Sequence, residues 1–503
     1  MRHLKPKSEN QKQFELLCLK LAHFLATVLL FYVTWLLFRY GKLTGNPGYG
    51  YRYNYFVVAG YGVLVFFFNR TYNSYLLGYS RIRALIFAQF LSQFFSAGIM
   101  WLATAIGWNQ WHNPWIFFAL LAVQLAINGA WSYLASAYYF RNYPPKKTIL
   151  IYRNNLDKKR FGSIKGKPSE RLYHIAEEFQ YDGYSFKAIR HRLEGYEAVF
   201  VAGVHSRCRN GIAKYCKEEN IVGFFLPHVG DVIMQEARHI KSFDSPVLSV
   251  SRSSLTPEYA IMKRAFDIVS SGLAMIILSP FMLITALAIH FYDGGPALYK
   301  QVRLTKDGRE FKILKFRSMR VDAEKDGVAR LSTGDKDDRI TPVGRIIRKI
   351  RFDELPQLWN IFVGDMSVVG PRPERPEIAE QYYEFLPDFR LRLQVKAGLT
   401  GYAQVYGKYN TDPYEKLEFD LLYINNMSIF TDIKLIFATI GILFSKESTA
   451  GVEEGQVTAV GDHYSMHGVE QQKPAAIDYD DERLRAYDPP SAIPEDKPTY
   501  WAD

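Results

Sequence analysis

Four long apolar stretches precede residue 141 and limit what the N-terminal part of this chain can become. They cover approximately residues 16–38, 53–68, 84–107 and 115–140, of which the second is the shortest. A helix needs about 20 apolar residues to cross the hydrocarbon core of a bilayer. Six of the eight tryptophans lie in this part of the chain, several near ends of stretches, where indole rings favour the membrane interface. The sequence therefore predicts a membrane protein with a four-helix transmembrane bundle over residues 1–147.

Basic residues predict the orientation of this bundle. Lysine and arginine precede the first stretch, lie between the second and third, and follow the fourth, whereas the loop 108–114 has neither. The loop after the first stretch is less clear, because it also contains basic residues. Since positively charged segments stay on the cytoplasmic side, we expect both ends of the bundle in the cytoplasm.

Residues 148–255 have the strand and helix pattern of a small Rossmann-like α/β domain. Three segments read as buried parallel strands: "TILIYR" (148–153), "EAVFVAG" (197–203) and "IVGFFLP" (221–227). Two segments read as helices: "SERLYHIAEEF" (169–179) and "HSRCRNGIAKYCKEEN" (205–220). No G-x-G-x-x-G follows the first strand, so dinucleotide binding is disfavoured. A scaffolding, regulatory or dimerising role is the alternative, and we expect this domain to help form a homodimer.

A fifth apolar stretch, residues 265–292 within a segment 256–295, is long enough to span but has basic residues on both flanks. Ser279 and Pro280 interrupt it, and proline removes a helix hydrogen bond and bends the chain. Serine can donate to the carbonyl that the proline leaves unpaired. The pattern predicts a re-entrant membrane helix that returns to the side it entered from. The alternative is a kinked fifth span that would carry the following residues to the outer face.

The remainder divides into a charged block, residues 296–450, and an acidic, disordered tail, residues 451–503. The net charge is +11, although the tail holds twelve acidic and only four basic residues. A basic body favours anionic lipids or phosphorylated substrates, and no zinc-finger, RNP or helix-turn-helix pattern supports nucleic-acid binding. The three cysteines form no C-x-x-C pair, which predicts reduced thiols without disulfides or structural zinc.

Residues 341–362 of the charged block are amphipathic. Thr341 and Pro342 predict a helix start, and the following helix places its basic residues on one face. A second helix is predicted to begin near Asp353, with one apolar stripe. The basic face comprises Arg345, Arg348 and Lys349; the apolar stripe comprises Leu355, Leu358, Trp359 and Phe362.

This arrangement puts Asp353 and Glu354 at a helix N-terminus beside a cationic face, where anions are favoured. Such surroundings would keep Asp353 ionised and nucleophilic while attracting phosphate. Adjacent carboxylates can also share Mg²⁺, which uses one or two carboxylates plus substrate phosphates. An acidic helix start that only complements the dipole and pairs with Arg348 explains the spacing equally well.

Further basic residues are candidates for binding a phosphorylated substrate: Arg303, Lys315, Arg317 and Arg372, the last between two prolines. A guanidinium fork on a stiff turn suits phosphate or uracil recognition. Taken one at a time, each of these residues could equally be a solvated surface charge.

Seven motifs occur in a specific order: "KRAFDIV", "LSP", "GGPALYKQVR", "FKILKFRSM", "TPVGRIIRK", "FDELPQLWNIFVGDMSVVGPRP" and "KAGLTGYAQV". In this order they resemble the bacterial monotopic phosphoglycosyl transferases, which are polyprenyl-phosphate sugar-1-phosphate transferases. The resemblance covers about residues 258–447. With the bundle and α/β domain, the chain is similar to the long undecaprenyl-phosphate glucose or galactose phosphotransferases. Phe352 stands where leucine is expected, a change between apolar residues, and the tail has no counterpart.

The resemblance implies transfer of hexose-1-phosphate from a UDP-sugar, with UDP-glucose or UDP-galactose expected, to undecaprenyl phosphate, with release of UMP. It implies that Asp353 forms a covalent phosphosugar intermediate, that Glu354 assists and contacts Mg²⁺, and that Arg372 lies near the nucleotide. It makes Ser279 and Pro280 the break of the re-entrant helix in the bacterial inner membrane. The catalytic domain would face the cytoplasm and start exopolysaccharide, capsule or O-antigen synthesis.

Two other functions remain open from the residues alone. A catalytically silent membrane scaffold of a polysaccharide assembly complex would need damage to the Asp-Glu pair, and the sequence has none. A channel would need charges along a membrane pathway. The first four stretches offer little beyond Lys20 and His23, which we expect near an edge of the first stretch.

Overall fold

The computed structural model describes residues 9–40, 51–109, 111, 113–160, 168–235, 237–240, 247–250, 256–320, 339–407 and 412–443. The predicted acidic tail, residues 451–503, lies outside the described residues.

The N-terminal part forms four helices. They are α1 (Glu9–Tyr40), α2 (Tyr51–Thr71), α3 (Ile82–Trp108) and α4 (Pro114–Asn142). The part of the chain that the structure describes contains four helices long and apolar enough to cross a membrane. These lie at Gln11–Leu37, Ile82–Gly107, Pro114–Asn142 and Pro257–Tyr292. Three of the four predicted N-terminal spans are thus confirmed by length and composition, whereas α2 forms a 21-residue helix that does not meet this measure.

Polar side chains connect the bundle helices at their centres. Gln93 of α3 and Asn128 of α4 exchange two amide hydrogen bonds of 2.8 and 2.9 Å. His23 of α1 pairs through Nε2 with Asn128 Oδ1 at 3.0 Å and through Nδ1 with Tyr75 at 2.9 Å. His23 therefore lies buried near the middle of α1. The expectation that it lies near an edge of the span is wrong.

A parallel sheet follows the bundle. Its strands are β1 (Lys146–Tyr152), β2 (Tyr173–Gln180), β3 (Ala198–Ala202) and β4 (Val222–Phe225), in the order β2-β1-β3-β4. Its helices are α5 (Asn155–Arg160), α6 (Phe186–Ile189), α7 (Ser206–Glu218) and α8 (Val229–Gln235), and β5 (Arg238–Ile240) pairs antiparallel with β6 (Val247–Ser249). The three predicted strands and the second predicted helix are confirmed.

The predicted helix at residues 169–179 is wrong. A 3₁₀ turn at Pro168–Arg171 leads into β2, an edge strand whose side chains alternate between more and less buried positions. The Ala-Glu-Glu segment has high helix propensity, but pairing with β1 prevails over that propensity. Because β2 is an edge strand, its glutamates can reach water.

The fifth apolar stretch forms one continuous helix, α9 (Pro257–Asp293), of 37 residues with Pro280 inside. Proline at 280 leaves the Ile276 carbonyl without its usual amide partner, and Ser279 Oγ donates to this carbonyl at 2.8 Å. One stripe of α9 packs against the charged block along nearly its whole length, from Lys263 to Ile289. The opposite side exposes large apolar residues: Ile261, Val269, Leu273, Ile276, Ile277, Phe281, Leu283, Ile284 and Phe291.

The charged block contains two short sheets surrounded by helices. Its strands are β7 (Leu298–Leu304), β8 (Glu310–Phe316), β9 (Ser367–Val369) and β10 (Gly398–Thr400). Its helices are α10 (Pro342–Lys349), α11 (Gln357–Val363), α12 (Pro376–Phe385), α13 (Tyr402–Tyr406), α14 (Pro413–Asn425) and α15 (Ile429–Leu443), with 3₁₀ helices at Lys306–Gly308, Phe352–Glu354 and Pro387–Gln394. β7 and β8 form an antiparallel hairpin, whereas β9 and β10 are parallel.

Both preceding units contact this block. Val229 and Val232 of α8 share a buried cluster with Tyr382 and Leu417 of the block. Tyr72, at the end of α2, donates to the Phe437 carbonyl of α15 at 2.9 Å. The bundle, the α/β unit and the block are therefore joined by side-chain contacts and not only by the chain.

Candidate active site

A tight turn carries the Asp-Glu pair. Thr341 caps α10 by accepting from the Gly344 amide at 2.9 Å, as the sequence predicts. After α10, Arg351 adopts a left-handed conformation (φ 59°) that is uncommon for a non-glycine residue. The chain then enters the 3₁₀ helix at Phe352–Glu354, and α11 begins only at Gln357. The prediction that a helix begins near Asp353 is therefore corrected: Asp353 and Glu354 lie in a 3₁₀ turn ahead of α11.

Glu354 is the carboxylate that the cations surround. Its Oε1 accepts from Arg372 Nη2 at 2.9 Å and lies 3.6 Å from Lys315 Nζ and 3.8 Å from Arg351 Nη1. Burial alone would raise the pKa of Glu354, but the charges of Arg372, Lys315 and Arg351 outweigh burial and lower it. Glu354 is therefore ionised in the folded protein.

Asp353 has the opposite environment. Burial and the neighbouring charge of Glu354 raise the pKa of Asp353, against the opposing charges of Lys315, Arg348 and Arg351. Its Oδ1 is buried and has no hydrogen-bond partner among the described residues. The cations that the sequence placed beside Asp353 act to lower its pKa, but burial and the charge of Glu354 outweigh them. Asp353 keeps an oxygen that is available to a ligand.

Lys315 and Arg303 approach the site from the β7–β8 hairpin. Burial lowers the pKa of Lys315 to about 8, although Glu354 acts in the other direction. Arg303 is half-buried, and the loss of water around it lowers its pKa to about 10. Its Nη1 donates to the Pro373 carbonyl at 3.1 Å. Of the two predicted basic residues, Lys315 thus lies beside Glu354 and Arg303 contacts the backbone of the Pro-Arg-Pro turn.

The other predicted basic residues differ in position. Arg348 is half-buried and its charge acts on Asp353. Arg345 is exposed on α10, as is Lys349. Arg317 packs its guanidinium against Gly295, where a Cβ atom would meet Arg317 Nη1 at 2.0 Å. The shared cationic face of α10 therefore contributes Arg348 to the site, and Arg317 lies at the end of α9.

Only half of the predicted apolar stripe packs into the block: Leu358 is buried and Leu355 packs on the buried cluster of Ile289, Phe316 and Ile347. The buried residues of α11 are Gln357, Leu358, Asn360 and Ile361. Trp359 and Phe362 are exposed and stack on each other with ring centres 6.0 Å apart. An apolar surface is therefore present beside the site, next to the exposed side of α9, where Phe362 contacts Gly272.

Sequence reasoning missed Arg351, which contacts Glu354. It lies two residues before Asp353, but the left-handed backbone that turns it toward Glu354 has no signature in the sequence. The "KRAFDIV" motif has a structural role that its sequence does not reveal. Lys263 donates to Asp432 at 2.7 Å, and Asp267 accepts from Ser367 Oγ at 3.0 Å. The first contact attaches α9 to α15, and the second attaches it to the strand β9 that leads into the Pro-Arg-Pro turn.

The carboxylate pair has the oxygen donors that Mg²⁺ prefers. Among the described residues, no group of three or more His, Cys, Asp or Glu side chains could hold a metal. Two carboxylates and substrate phosphates suffice for Mg²⁺, and Asp353 offers an unpartnered oxygen. Glu354 is the less suitable ligand, because three cations already contact it.

Comparisons with known proteins define the class. A family model described as "Bacterial sugar transferase" matches residues 258–446. An exopolysaccharide production protein PSS of Rhizobium leguminosarum bv. phaseoli is 42% identical over 189 residues, 36% of this chain and 94% of the relative. The chain belongs to the bacterial sugar transferases, the polyprenyl-phosphate sugar-1-phosphate transferase family that its motifs resemble.

Two longer relatives match over similar regions. A UDP-N-acetylgalactosamine-undecaprenyl-phosphate N-acetylgalactosaminephosphotransferase of Aeromonas hydrophila is 41% identical over 37% of this chain and 44% of its own length. A UDP-glucose:undecaprenyl-phosphate glucose-1-phosphate transferase of Klebsiella pneumoniae is 39% identical over 43% of this chain and 47% of its own length. The matched region thus spans less than half the length of these two relatives.

Proposed function

We propose that this protein transfers hexose-1-phosphate from a UDP-sugar to undecaprenyl phosphate. The observation that carries the proposal is the asymmetry of the carboxylate pair within a family motif. Glu354 is held ionised by three cations, and Asp353 keeps a buried oxygen without a partner. Relatives that carry the same domain are named for this kind of transfer.

In the first step, a carboxylate oxygen of Asp353 attacks the β-phosphorus of the UDP-sugar. A bond forms between this oxygen and the β-phosphorus, the bond from the β-phosphorus to the bridging oxygen breaks, and UMP leaves with the electron pair. In the second step, a phosphate oxygen of undecaprenyl phosphate attacks the aspartyl phosphosugar. The bond to Asp353 breaks, and an undecaprenyl-diphosphate sugar is released. A covalent intermediate lets a polar and a lipid substrate use one site in turn.

The cations have separate roles in this mechanism. Arg372 and Arg351 hold Glu354 in place, so that its charge lies beside Asp353. Lys315 and Arg348 add positive charge where the diphosphate would bind, and fixed charges of this kind stabilise phosphoryl transfer. Mg²⁺, when bound, would neutralise charge on the diphosphate oxygens, and Glu354 and Asp353 are the two carboxylates of the site that could hold it.

We also propose that α9 does not cross the bilayer. At about 1.5 Å per residue the helix is about 55 Å long, yet contacts with one block extend from Lys263 to Ile289. A spanning orientation would draw the charged block into the membrane, at high cost in free energy. The exposed apolar sides of α9 and α11 support a helix that enters and leaves on one side, with Ser279 and Pro280 exposed at its middle.

This placement predicts a bacterial inner-membrane protein with its catalytic block in the cytoplasm. The basic loops of the bundle lie at the end that contacts the block, since Tyr72 at the end of α2 reaches α15.

The proposal includes a homodimer formed through the α/β domain and a first step in extracellular polysaccharide synthesis. Light scattering of the full chain in detergent tests the dimer, and a monomer mass would refute it.

The topology is tested by cysteine labelling. In a chain with Cys18, Cys208 and Cys216 replaced, Arg390→Cys reports on the block and Glu218→Cys on the α/β domain, because both positions are exposed. A membrane-impermeant thiol reagent should reach neither in intact cells and both in inverted vesicles. Labelling of position 390 alone from outside would show that α9 spans.

The activity is tested by UMP release from a panel of UDP-hexoses and UDP-N-acetylhexosamines, with undecaprenyl phosphate and Mg²⁺. We expect UMP from UDP-glucose or UDP-galactose, and no release above background for Asp353→Asn. Asp388→Asn removes an exposed carboxylate from the same block and should keep full activity. If the folded wild-type protein releases no UMP from any donor, the alternative of a membrane scaffold is favoured.

A further inference from the structure

The Pro-Arg-Pro turn is fixed through four consecutive carbonyl groups. The carbonyl of Pro371 accepts from the Gly398 amide at 2.9 Å, and that of Glu374 accepts from the Leu304 amide at 3.0 Å. The two middle carbonyls accept from side chains: Pro373 from Arg303 Nη1 at 3.1 Å, and Arg372 from Arg392 Nη2 at 2.8 Å. Because proline has no amide hydrogen, two of these residues cannot donate to the backbone, and the acceptor contacts determine where the turn lies.

Arg392 belongs to the 3₁₀ helix at Pro387–Gln394, and its side chain is only 4% exposed. Its Nε and Nη2 lie 2.8 and 2.7 Å from Asp420 Oδ2 of α14. Its Nη1 lies 3.6 Å from Glu374, and its guanidinium lies 4.7 Å from the ring centre of Phe389. A buried charge is costly unless it is paired and hydrogen-bonded, and Arg392 meets both conditions.

The contact between Arg392 and Arg372 joins this buried group to the site. Arg392 holds the backbone of Arg372 through its carbonyl, and the Arg372 side chain reaches Glu354 at 2.9 Å. The Arg372 side chain is 41% exposed, and its guanidinium reaches Glu354 from the end of a long, flexible stem. The direction in which it leaves the turn therefore depends on how firmly its backbone is held.

We propose that Arg392, oriented by Asp420, is a positioning residue for the transfer reaction: it holds the Arg372 carbonyl so that the Arg372 guanidinium stays on Glu354. The expected effect on catalysis rests on the proposed function. The expected effect on the position of Arg372 rests on geometry alone. Arg392 touches neither Asp353 nor Glu354 in the contacts of the described residues, so its effect on the reaction passes through Arg372.

The first test is a double-mutant cycle on kcat/KM for UMP release. Arg392→Lys keeps the charge but loses the planar fork, and a misplacement of about 1 Å can cost about a hundredfold in rate. We expect a loss of about tenfold to a hundredfold for Arg392→Lys and no further loss when it is added to Arg372→Lys. Independent losses that multiply in the double variant would overturn the proposal, because a residue with only a structural role would act independently of Arg372.

The matched control is Arg390→Lys, an exposed arginine in the same 3₁₀ helix, which should leave kcat/KM unchanged. A second variant, Asp420→Asn, keeps Arg392 but removes the charge that orients it. It should lower kcat/KM in the same direction, also without further loss in the Arg372→Lys background. Wild-type kcat/KM in folded Asp420→Asn would overturn the role given to Asp420.

A second readout needs no transferase activity. Phenylglyoxal modifies accessible arginines, and the fraction of Arg372 modified can be followed by mass spectrometry without substrate. We expect Arg372 to be modified severalfold faster in Arg392→Lys and in Asp420→Asn, and at the wild-type rate in Arg390→Lys. Unchanged modification in folded Arg392→Lys would overturn the positioning role even if the protein transfers no sugar. If Arg372 is modified faster in these variants but the wild-type protein transfers no sugar, the positioning role is supported and the proposed function is refuted.

Discussion

Two groups of buried polar side chains, one between the helices of the bundle and one around Asp353 and Glu354, differ in charge and in pairing. In the bundle, Gln93, Asn128 and His23 satisfy one another. The buried atoms left without a partner among the described bundle residues are neutral: Ser74 Oγ, Trp101 Nε1 and Gln124 Oε1. Around the carboxylate pair, the described residues leave Asp353 Oδ1, Arg348 Nη1 and Arg303 Nε without a partner. These three atoms belong to charged groups, and only Gln357 Nε2, among the unpartnered atoms described beside the pair, is neutral.

The difference separates a structural network from a binding site. A buried charged atom without a partner costs more free energy than a neutral one. Such atoms persist where a ligand supplies the missing contact. A diphosphate offers anionic oxygens for Arg348 and Arg303 and an electrophilic phosphorus for Asp353, whereas the bundle network needs no ligand.

The largest effect that would sharpen this comparison is expected from Glu354→Gln. The variant leaves Arg372, Lys315 and Arg351 without their shared anion. We expect kcat to fall about a hundredfold or more, since removing a single preorganised electrostatic group from an active site typically lowers kcat by about this factor. Glu310→Gln, at an exposed position at the start of β8, is the control. Near-normal UMP release by folded Glu354→Gln would show that the polar group around Asp353 and Glu354 is no more important for activity than the one in the bundle.

A smaller effect concerns pH. Burial lowers the pKa of Lys315 to about 8, so its positive charge is present below this pH and is lost as the pH rises through it. Asp353 must be ionised to attack, and because its pKa is raised, activity should fall as the solution becomes acidic. The profile of kcat/KM against pH should therefore be bell-shaped. Its alkaline side should lie near pH 8.

The alkaline side can be assigned to one residue. Lys315→Arg should extend the activity to higher pH, because arginine stays charged. Lys312→Arg, at an exposed position on the same strand, should leave the profile unchanged. An alkaline side that stays near pH 8 in active Lys315→Arg would exclude Lys315 as its origin.

The smallest effect is expected in the bundle. Gln93→Leu removes one side of the reciprocal pair with Asn128 and should lower the free energy of unfolding by about 1 kcal/mol. Unfolding in mixed micelles measures this loss, and UMP release per folded molecule should stay at the wild-type value. A large loss of kcat without a loss of stability would show that the bundle network also takes part in the reaction.

Most of the architecture could be predicted from the sequence, because it depends on local patterns. Apolar length predicted α1, α3 and α4, strand composition predicted β1, β3 and β4, and the Thr341 cap predicted α10. The edge strand β2 was missed because its Ala-Glu-Glu segment favours a helix until β1 pairs with it. That pairing is a tertiary contact and has no local signature.

The candidate site shows the same limit. The residue types were predicted, but the partner of each charge was not. The sequence placed Asp353 and Glu354 together beside a cationic face, but it did not reveal that Arg372, Lys315 and Arg351 all contact Glu354. Arg392 is 38 residues from Glu354 in the chain, and only the folded Pro-Arg-Pro turn connects the two. Long-range contacts of this kind cannot be deduced from the spacing of residues.

The central claim is that Asp353 becomes covalently linked to the phosphosugar, and trapping of this intermediate tests it most directly. The purified protein is incubated with UDP-glucose or UDP-galactose radiolabelled at the β-phosphorus, without undecaprenyl phosphate, and then denatured. The account predicts label that stays with the denatured chain, maps to the peptide containing Asp353, is absent in Asp353→Asn, and leaves the wild-type chain when undecaprenyl phosphate is added before denaturation. Sugar transfer to the lipid with no label on the chain, under conditions of rapid quenching, would contradict it.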